Sequence, residues 1–240
     1  FFSTPPRPPP MLRSLVGSEM CIRDRKRTVE ISKKNGVSIG AHPSFKDTKN
    51  FGRKRINLSE KEITELIVDQ YNILQSIAER YNENVSHIKP HGALNNMACE
   101  DMDLANIIAK TIKHINKDLI YLVPTGSKME IAAKKLNMKI ACEIFADRNY
   151  EDDGNLVSRS KKDALITNPE HAKAHVLEMV ENQALNCLSG KKIPCEIDSV
   201  CIHGDNSSSL ATALSIKDNL LENGLKLIPL NKMEKFKNVK

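Results

Sequence analysis

Short apolar runs, several of them rich in β-branched residues, alternate with helical patterns along most of this 240-residue chain. This alternation restricts the fold more than any other feature, because it is typical of successive βα units whose strands lie parallel in one sheet. We therefore predict an α/β fold with one large domain over residues 26–230. Its predicted strands are residues 37–41, 85–89, 119–123, 140–145, 164–166, 199–202 and 225–230.

A helix beginning at Ser59 is the clearest of the predicted helices. Ser59 and Glu62 have the spacing of a capping box, and the apolar residues that follow recur at the spacing of a helix that packs on a sheet. Gly224 is expected to end the last helix. The other predicted helices are residues 102–115, 128–136, 169–188 and 208–222.

The formal net charge of +6 resides at the two ends of the chain. Residues 1–25 hold four Arg against two acidic residues, and residues 226–240 hold five Lys against one Glu. The 200 residues between them carry 27 basic and 27 acidic groups. That stretch lacks the positive field that collects a phosphate backbone, so no nucleic-acid partner is predicted. Residues 231–240 are expected to form a basic C-terminal tail.

The sequence also indicates that the protein is neither a membrane protein nor a secreted one. No apolar run reaches the roughly 18 residues that a membrane span requires, so no membrane partner is predicted. The six cysteines are scattered without a Cys-x-x-Cys pair, and no credible secretory signal precedes them. Scattered thiols usually serve as small buried apolar residues in a reducing compartment, which indicates a cytoplasmic protein.

Residues 1–25 differ from the rest of the chain. They hold five of the eleven prolines and follow neither the helical nor the strand period. A Pro-rich linker and a transit peptide are two interpretations. We favour a third, because the run SLVGSEMCIRDR resembles translated sequencing-adapter sequence. The segment is therefore expected to be non-native or disordered, and it is left out of the predicted domain.

Three histidines stand where a predicted strand gives way to a loop, and they are His42, His91 and His203. Because the carboxyl ends of parallel strands face one mouth, we expect the three imidazoles to meet around a common ligand. Lys89 lies two residues before His91, where an ammonium would stabilise developing oxyanion charge. Asp205 follows His203 by two residues and would orient that imidazole or share a metal with it. The alternative for His-Gly-Asp is a polar turn.

A fourth predicted strand end carries acidic and basic groups in the run CEIFADRNY. Glu143 or Asp147 would act as a general base, and Arg148 would hold a substrate carboxylate in a bidentate pair. A bridge between Asp147 and Arg148 is the structural alternative. Asn96 and the loop residue Arg159 complete the predicted substrate-binding set. Neither a P-loop nor a G-x-G-x-x-G turn occurs in the sequence.

Six motifs in a fixed order carry a family resemblance. They are GAHPS (40–44), FGR (51–53), KPHGAL (89–94), EIFADRNY (143–150), LVSR (156–159) and HGD (203–205). Together they resemble the LamB/YcsF family, which supplies the A subunit of ATP-dependent 5-oxoprolinase, from about residue 26 to about residue 230.

The resemblance implies a (β/α) barrel related to the glycoside hydrolase and deacetylase type. It also implies a hydrolase subunit that opens the lactam ring of 5-oxoproline to give L-glutamate, with ATP as cofactor and the 5-oxoprolinase B and C subunits as partners. A divalent metal is left open. The catalytic residues expected at the mouth are His42, Lys89, His91, Glu143, Asp147, His203 and Asp205.

Two departures from the family pattern accompany the resemblance. Segments resembling DLNCDLGE and ANIACGFHAGD do not occur, so we expect a barrel that is incomplete at its N-terminus. Asn95 replaces a Tyr that the family prefers. Two alternatives therefore stay open, a metal-dependent hydrolase similar to polysaccharide deacetylases and a truncated, non-catalytic binding subunit.

Overall fold

The computed structural model describes residues 13–17, 22–203 and 209–237. A parallel sheet of six strands forms its centre, and the strands follow one another across the sheet in chain order. Those strands are β1 (Arg13–Gly17), β2 (Ser38–His42), β3 (Val85–Ile88), β4 (Ile120–Pro124), β5 (Ile140–Phe145) and β8 (Ser199–Cys201). Two further strands, β6 (Ala184–Asn186) and β7 (Lys192–Pro194), form a separate antiparallel hairpin.

The strand order is that of a (β/α) barrel, but β1 and β8 are not paired among the described residues. The sheet is therefore a curled half-barrel, and the predicted α/β class with a parallel, barrel-type sheet is confirmed. The described part of the segment 1–25 contains β1, which pairs in parallel with β2, and the start of the first helix. The non-native origin of that segment stays a prediction.

Eight α-helices lie in the described ranges. They are α1 (Ile22–Lys34), α2 (Glu60–Glu79), α3 (Gly92–Glu100), α4 (Met102–Ile115), α5 (Lys128–Lys135), α6 (Pro169–Asn182), α7 (Ser209–Glu222) and α8 (Glu234–Lys237). The predicted capping box is present, because the Ser59 side chain accepts from the Glu62 amide and the Glu62 carboxylate accepts from the Ser59 amide. Gly224 follows α7 with φ of +80°, as expected of a helix stop. None of these helices has the length and apolar character of a membrane span.

Alternate residues along the strands pack on different layers, as the two-residue period of a strand requires. Tyr121 and Val123 join the large core formed with the helices. Ile120 and Leu122 pack instead with Ala141 and with the C-terminal segment, through Leu230, Met233 and Phe236. The side chain of Lys235 reaches the carboxylates of Glu196 and Asp198 and holds that segment in place. The described part of the predicted tail is thus packed against the sheet.

Two predicted strands are wrong. Residues 164–166 form only an isolated bridge between Leu165 and Arg148, because this short run belongs to a loop that is held through the Ala164 carbonyl. Residues 225–230 contain no strand. Their apolar side chains serve other surfaces, since Leu225 packs against the last turns of α7 and Leu230 covers the sheet.

One predicted helix is too long. The helix predicted over residues 169–188 ends at Asn182, because Gln183 takes the left-handed conformation with φ of +46°. The residues that follow pair in the hairpin of β6 and β7.

We expect Gly40→Ala to destabilise the sheet. A Cβ atom on this β2 residue would lie 2.2 Å from Nε2 of His87, a fully buried side chain on β3. Overpacking of this kind costs about 1–3 kcal/mol. Urea unfolding of Gly40→Ala, His87→Ala and the double variant measures the coupling, and the cost of Gly40→Ala should fall by half or more when His87 is Ala. An equal cost in both backgrounds would contradict the proposed contact.

Candidate active site

The site candidates gather where the parallel strands end. His42 is the last residue of β2, Lys89 and His91 follow β3, Glu143 lies near the end of β5, and His203 follows β8. The carboxyl ends of parallel strands lie at one edge of a sheet, so these side chains from distant parts of the chain meet there.

A buried ion pair between Lys89 and Glu143 forms the centre of the site, with the two side chains 4% and 0% exposed. Ser199 donates its hydroxyl to the second carboxylate oxygen, Oε1 of Glu143, at 3.2 Å. The Lys89 ammonium also lies 3.3 Å from Sγ of Cys201 and 4.7 Å from the ring centroid of Phe145. Since burying an unpaired charge costs several kcal/mol, each member of the pair compensates the charge of the other and fixes its position.

His42 is bound through one ring nitrogen. Its Nδ1 lies 2.6 Å from the Lys89 carbonyl oxygen, and because a carbonyl only accepts, Nδ1 carries the proton. Burial, and then the charge of Lys89, holds the pKa of His42 well below its usual range. The ring is therefore neutral at neutral pH and offers Nε2 as a proton acceptor.

His91 lies beside His42, with the two ring centroids 4.8 Å apart. Burial, and then the charges of Arg53, Lys89, His203 and Arg159 in that order, lower the pKa of His91 to about 4. A neutral imidazole thus stands among basic groups. The charge of His203 also acts on the His91 imidazole. The structure thus brings the three predicted histidines together.

His203 is held by an acidic residue. Its Nδ1 lies 2.8 Å from Oδ2 of Asp147, and its ring stacks on Phe145 with centroids 5.9 Å apart. A carboxylate in this position fixes the orientation of an imidazole and keeps the proton on Nδ1, as in acid–base catalysts. Asp205, the other predicted partner of His203, lies outside the described residues.

Arg148 has backbone partners. This buried guanidinium donates from Nε to the Ala164 carbonyl at 3.3 Å and from Nη2 to the Val157 carbonyl at 2.6 Å. These bonds hold the loop between β5 and α6 to the sheet. The alternative bridge between Asp147 and Arg148 is not among the ion pairs of the described residues, because the Asp147 carboxylate binds His203.

The two other predicted substrate ligands are exposed. Asn96 lies on α3 and accepts from Nδ2 of Asn95 at 3.3 Å. Arg159 lies on the loop after Val157, and its charge reaches His91. The substrate-binding roles of Asn96, Arg148 and Arg159 stay predictions.

Sequence reasoning missed several neighbours of the site, namely Arg53, Phe145, Ser199 and Cys201. A signal for the strand residues was present. Ser199 and Cys201 are two residues apart on β8, as are Glu143 and Phe145 on β5, and such spacing places side chains on one face of a sheet.

The donor groups of the described residues do not fit a metal ion. Across the described side chains, no three His, Cys, Asp or Glu residues are arranged to hold one. The two carboxylates described at the mouth, those of Glu143 and Asp147, already bind Lys89 and His203. No step is therefore assigned to a divalent metal.

Comparison with known proteins gives a consistent result. The profile of the LamB/YcsF family matches residues 18–235. The A subunit of 5-oxoprolinase from Clostridium beijerinckii is 42% identical over 206 residues, which are 86% of this chain and 81% of that protein. The A subunit of 5-oxoprolinase from Rhodopseudomonas palustris is 40% identical over 203 residues, which are 84% of this chain and 80% of that protein. The crystal structure of the lactam utilization protein from Thermus thermophilus superposes with a TM-score of 0.81 at 30% identity, covering 88% of this chain and 84% of that one.

We expect Lys89→Met to destabilise the protein by about 3–5 kcal/mol, because it leaves the buried Glu143 carboxylate without its cation. Adding Glu143→Gln removes the charge and keeps an acceptor for Ser199, so the double variant should recover most of the loss. Urea unfolding of the two single variants and the double variant measures this. A double variant no more stable than Lys89→Met would contradict a dominant role for the ion pair.

The lowered pKa of His91 predicts a loss of stability in mild acid. The unfolded chain takes up the proton near the ordinary value of 6.5 and the folded chain only near 4. Stability is therefore full above about pH 6.5 and falls as the pH drops toward 4. Thermal unfolding between pH 7 and pH 5 should show a shallower pH dependence for His91→Gln, by up to one proton taken up on unfolding. His114→Gln, at an exposed position on α4, should leave the slope unchanged.

Proposed function

The chain belongs to the LamB/YcsF family, and from that premise we propose that it is the A subunit of an ATP-dependent 5-oxoprolinase that converts 5-oxoproline to L-glutamate. The observation that carries the proposal is the meeting of three imidazoles around the buried pair of Lys89 and Glu143. The names of the relatives and of the Thermus protein support the same reaction class.

The coupling to ATP follows from the chemistry of the substrate. A five-membered lactam is a resonance-stabilised amide, so its carbonyl carbon is a poor electrophile. Transfer of the γ-phosphoryl group of ATP to the lactam oxygen releases ADP and activates that carbon. Water then adds to the carbon, and the C–N bond breaks as the nitrogen takes a proton. The resulting γ-glutamyl phosphate is hydrolysed to glutamate and phosphate.

The side chains at the mouth suit the ring-opening steps. His91, neutral at neutral pH, is the proposed general base that takes a proton from the attacking water, and His42 is a second neutral acceptor beside it. His203, oriented by Asp147, is the proposed acid that gives a proton to the leaving nitrogen. Lys89 is the proposed stabiliser of the negative charge that the phosphorylated oxygen brings to the attacked carbon, and Glu143 keeps its ammonium in place.

We also propose partner subunits for this chain and a place for ATP in the reaction. The relatives are named as subunits, which supports a complex of several chains, and we propose the B and C subunits as the others. The sequence contains no glycine-rich phosphate loop, so no ATP contact is assigned to residues of this chain. A cytoplasmic location agrees with the use of ATP.

The activity test uses the full chain assembled with the B and C subunits of a 5-oxoprolinase. Glutamate release from 5-oxoproline and ATP is measured for the wild type and for His91→Ala and His203→Ala. Loss of a general acid or base should lower kcat by about 10²–10⁴-fold with little loss of thermal stability. His114→Ala, an exposed histidine on α4, should match the wild type.

Two results would contradict the proposal. No glutamate release from an assembled, folded wild-type complex would rule out the reaction. Calorimetric binding of 5-oxoproline without turnover would favour the non-catalytic binding role instead.

A further inference from the structure

We infer that Phe145 is a positioning residue, whose ring holds the Lys89 ammonium and the His203 imidazole in the places from which they act on one substrate. The inference rests on the proposed function, which gives Lys89 and His203 separate tasks in the ring-opening steps. It assigns a role to a residue of β5 that the sequence analysis left out of the site.

The Phe145 ring contacts two of the polar groups at the mouth. The Lys89 ammonium nitrogen lies over the ring, 4.7 Å from its centroid. The His203 imidazole stacks on the same ring, with 19° between the two planes and 5.9 Å between the centroids. The face of an aromatic ring is electron-rich and attracts cations, and the attraction is stronger where water is excluded. Since the Phe145 ring and the Lys89 side chain are both buried, the attraction acts here with little screening by solvent.

Phe145 stands between two carboxylates in the sequence, those of Glu143 and Asp147. Glu143 binds Lys89, and Asp147 binds His203. As the proposed acid, His203 carries a positive charge until it gives up its proton, so both groups are cations that the ring attracts. Each of them thus contacts one carboxylate and the shared ring. The carboxylates supply the opposite charges, and the ring is a rigid surface that both groups contact.

The backbone and the surroundings of Phe145 keep the ring in place. The Phe145 amide donates to the hydroxyl oxygen of Tyr150 at 2.8 Å. The ring belongs to a cluster of buried side chains that includes Ile144, Met179 and Leu185. Because close packing leaves a side chain little room to move, the ring stays in position when charge develops at the mouth. A preorganised site requires such a fixed surface.

His91, the proposed general base, is held by other contacts. The chain directly after it is attached to a neighbouring loop, because the Gly52 carbonyl accepts from the Ala93 amide at 2.9 Å. Gly92 allows this close approach, since a Cβ atom there would lie 2.5 Å from the Gly52 oxygen. A change in the Phe145 ring should therefore leave the proposed base in place.

Fluorinated phenylalanines at position 145 test the inference in the assembled enzyme. Each fluorine atom withdraws electrons from the ring face and weakens its attraction for a cation, while the shape of the ring hardly changes. Across a series with one, two and three fluorine atoms, kcat for glutamate release should fall in steps, to about tenfold below the wild type at the end. KM for 5-oxoproline should stay within about threefold, because the two groups act on the reaction rather than on binding. A ring that merely fills the core would show no graded loss of kcat.

Phe236 supplies the matched control. Its ring also faces an ammonium group, with Nζ of Lys235 5.5 Å from the ring centroid. Phe236 lines a cavity with Val85 and Ile120, the first residues of β3 and β4, so it lies at the opposite edge of the sheet from the mouth. The same three amino acids at position 236 should leave kcat unchanged. An unchanged kcat across the series at position 145, or an equal fall at both positions, would overturn the inference.

Urea unfolding of the full chain separates a failure of this inference from a failure of the proposed function. A folded wild-type complex that releases no glutamate would contradict the proposed function, and the contact between the ring and Lys89 is then tested without turnover. Fluorination at position 145 should lower the urea midpoint more in the wild type than in the double variant Lys89→Met, Glu143→Gln, which lacks the cation. An equal change in both backgrounds would contradict the inferred contact.

Discussion

The buried pair of Lys89 and Glu143 connects the parts of the site more than any other interaction. Its two members lie on either side of β4, so the pair spans the end of that strand. The Lys89 carbonyl binds His42 from β2, while its ammonium contacts Cys201 from β8. Ser199 completes the environment of the carboxylate. One pair of charges, excluded from water, thus ties together strands from most of the sheet, and His42 binds the backbone of one of its members.

Much of the architecture could be predicted from the sequence. Runs rich in β-branched residues predicted β4 and β5, because a strand that is buried on both faces is apolar along its length. The bounds of α4 agree with those that its apolar period predicted, because a helix that is buried along one stripe repeats its apolar residues at the helical spacing. The helix α3 was not predicted, since its first residue is the glycine of the run Pro-His-Gly. The apolar run at 225–230 is not a strand because its residues cover existing surfaces, and periodicity does not distinguish burial by packing from burial in a sheet.

The site was predictable to a similar degree. Parallel topology alone brings His42, His91 and His203 to one edge, whatever their neighbours are. The partner of each polar group was not predictable, because it depends on the path of a loop. Arg148 shows this, since its sequence position beside an acidic residue suggested a bridge, whereas the folded loop offers it two carbonyl groups.

Over evolutionary time, the close approach of Gly52 and Gly92 restricts which residues can occupy these two positions, whereas neighbouring exposed positions can vary. A side chain at position 92 would collide with the Gly52 oxygen, and one at position 52 would press on Ser44. The two glycines are therefore expected to persist in descendants of this protein. Arg53, by contrast, is exposed, so its side chain can change without disturbing the contact between the two glycines.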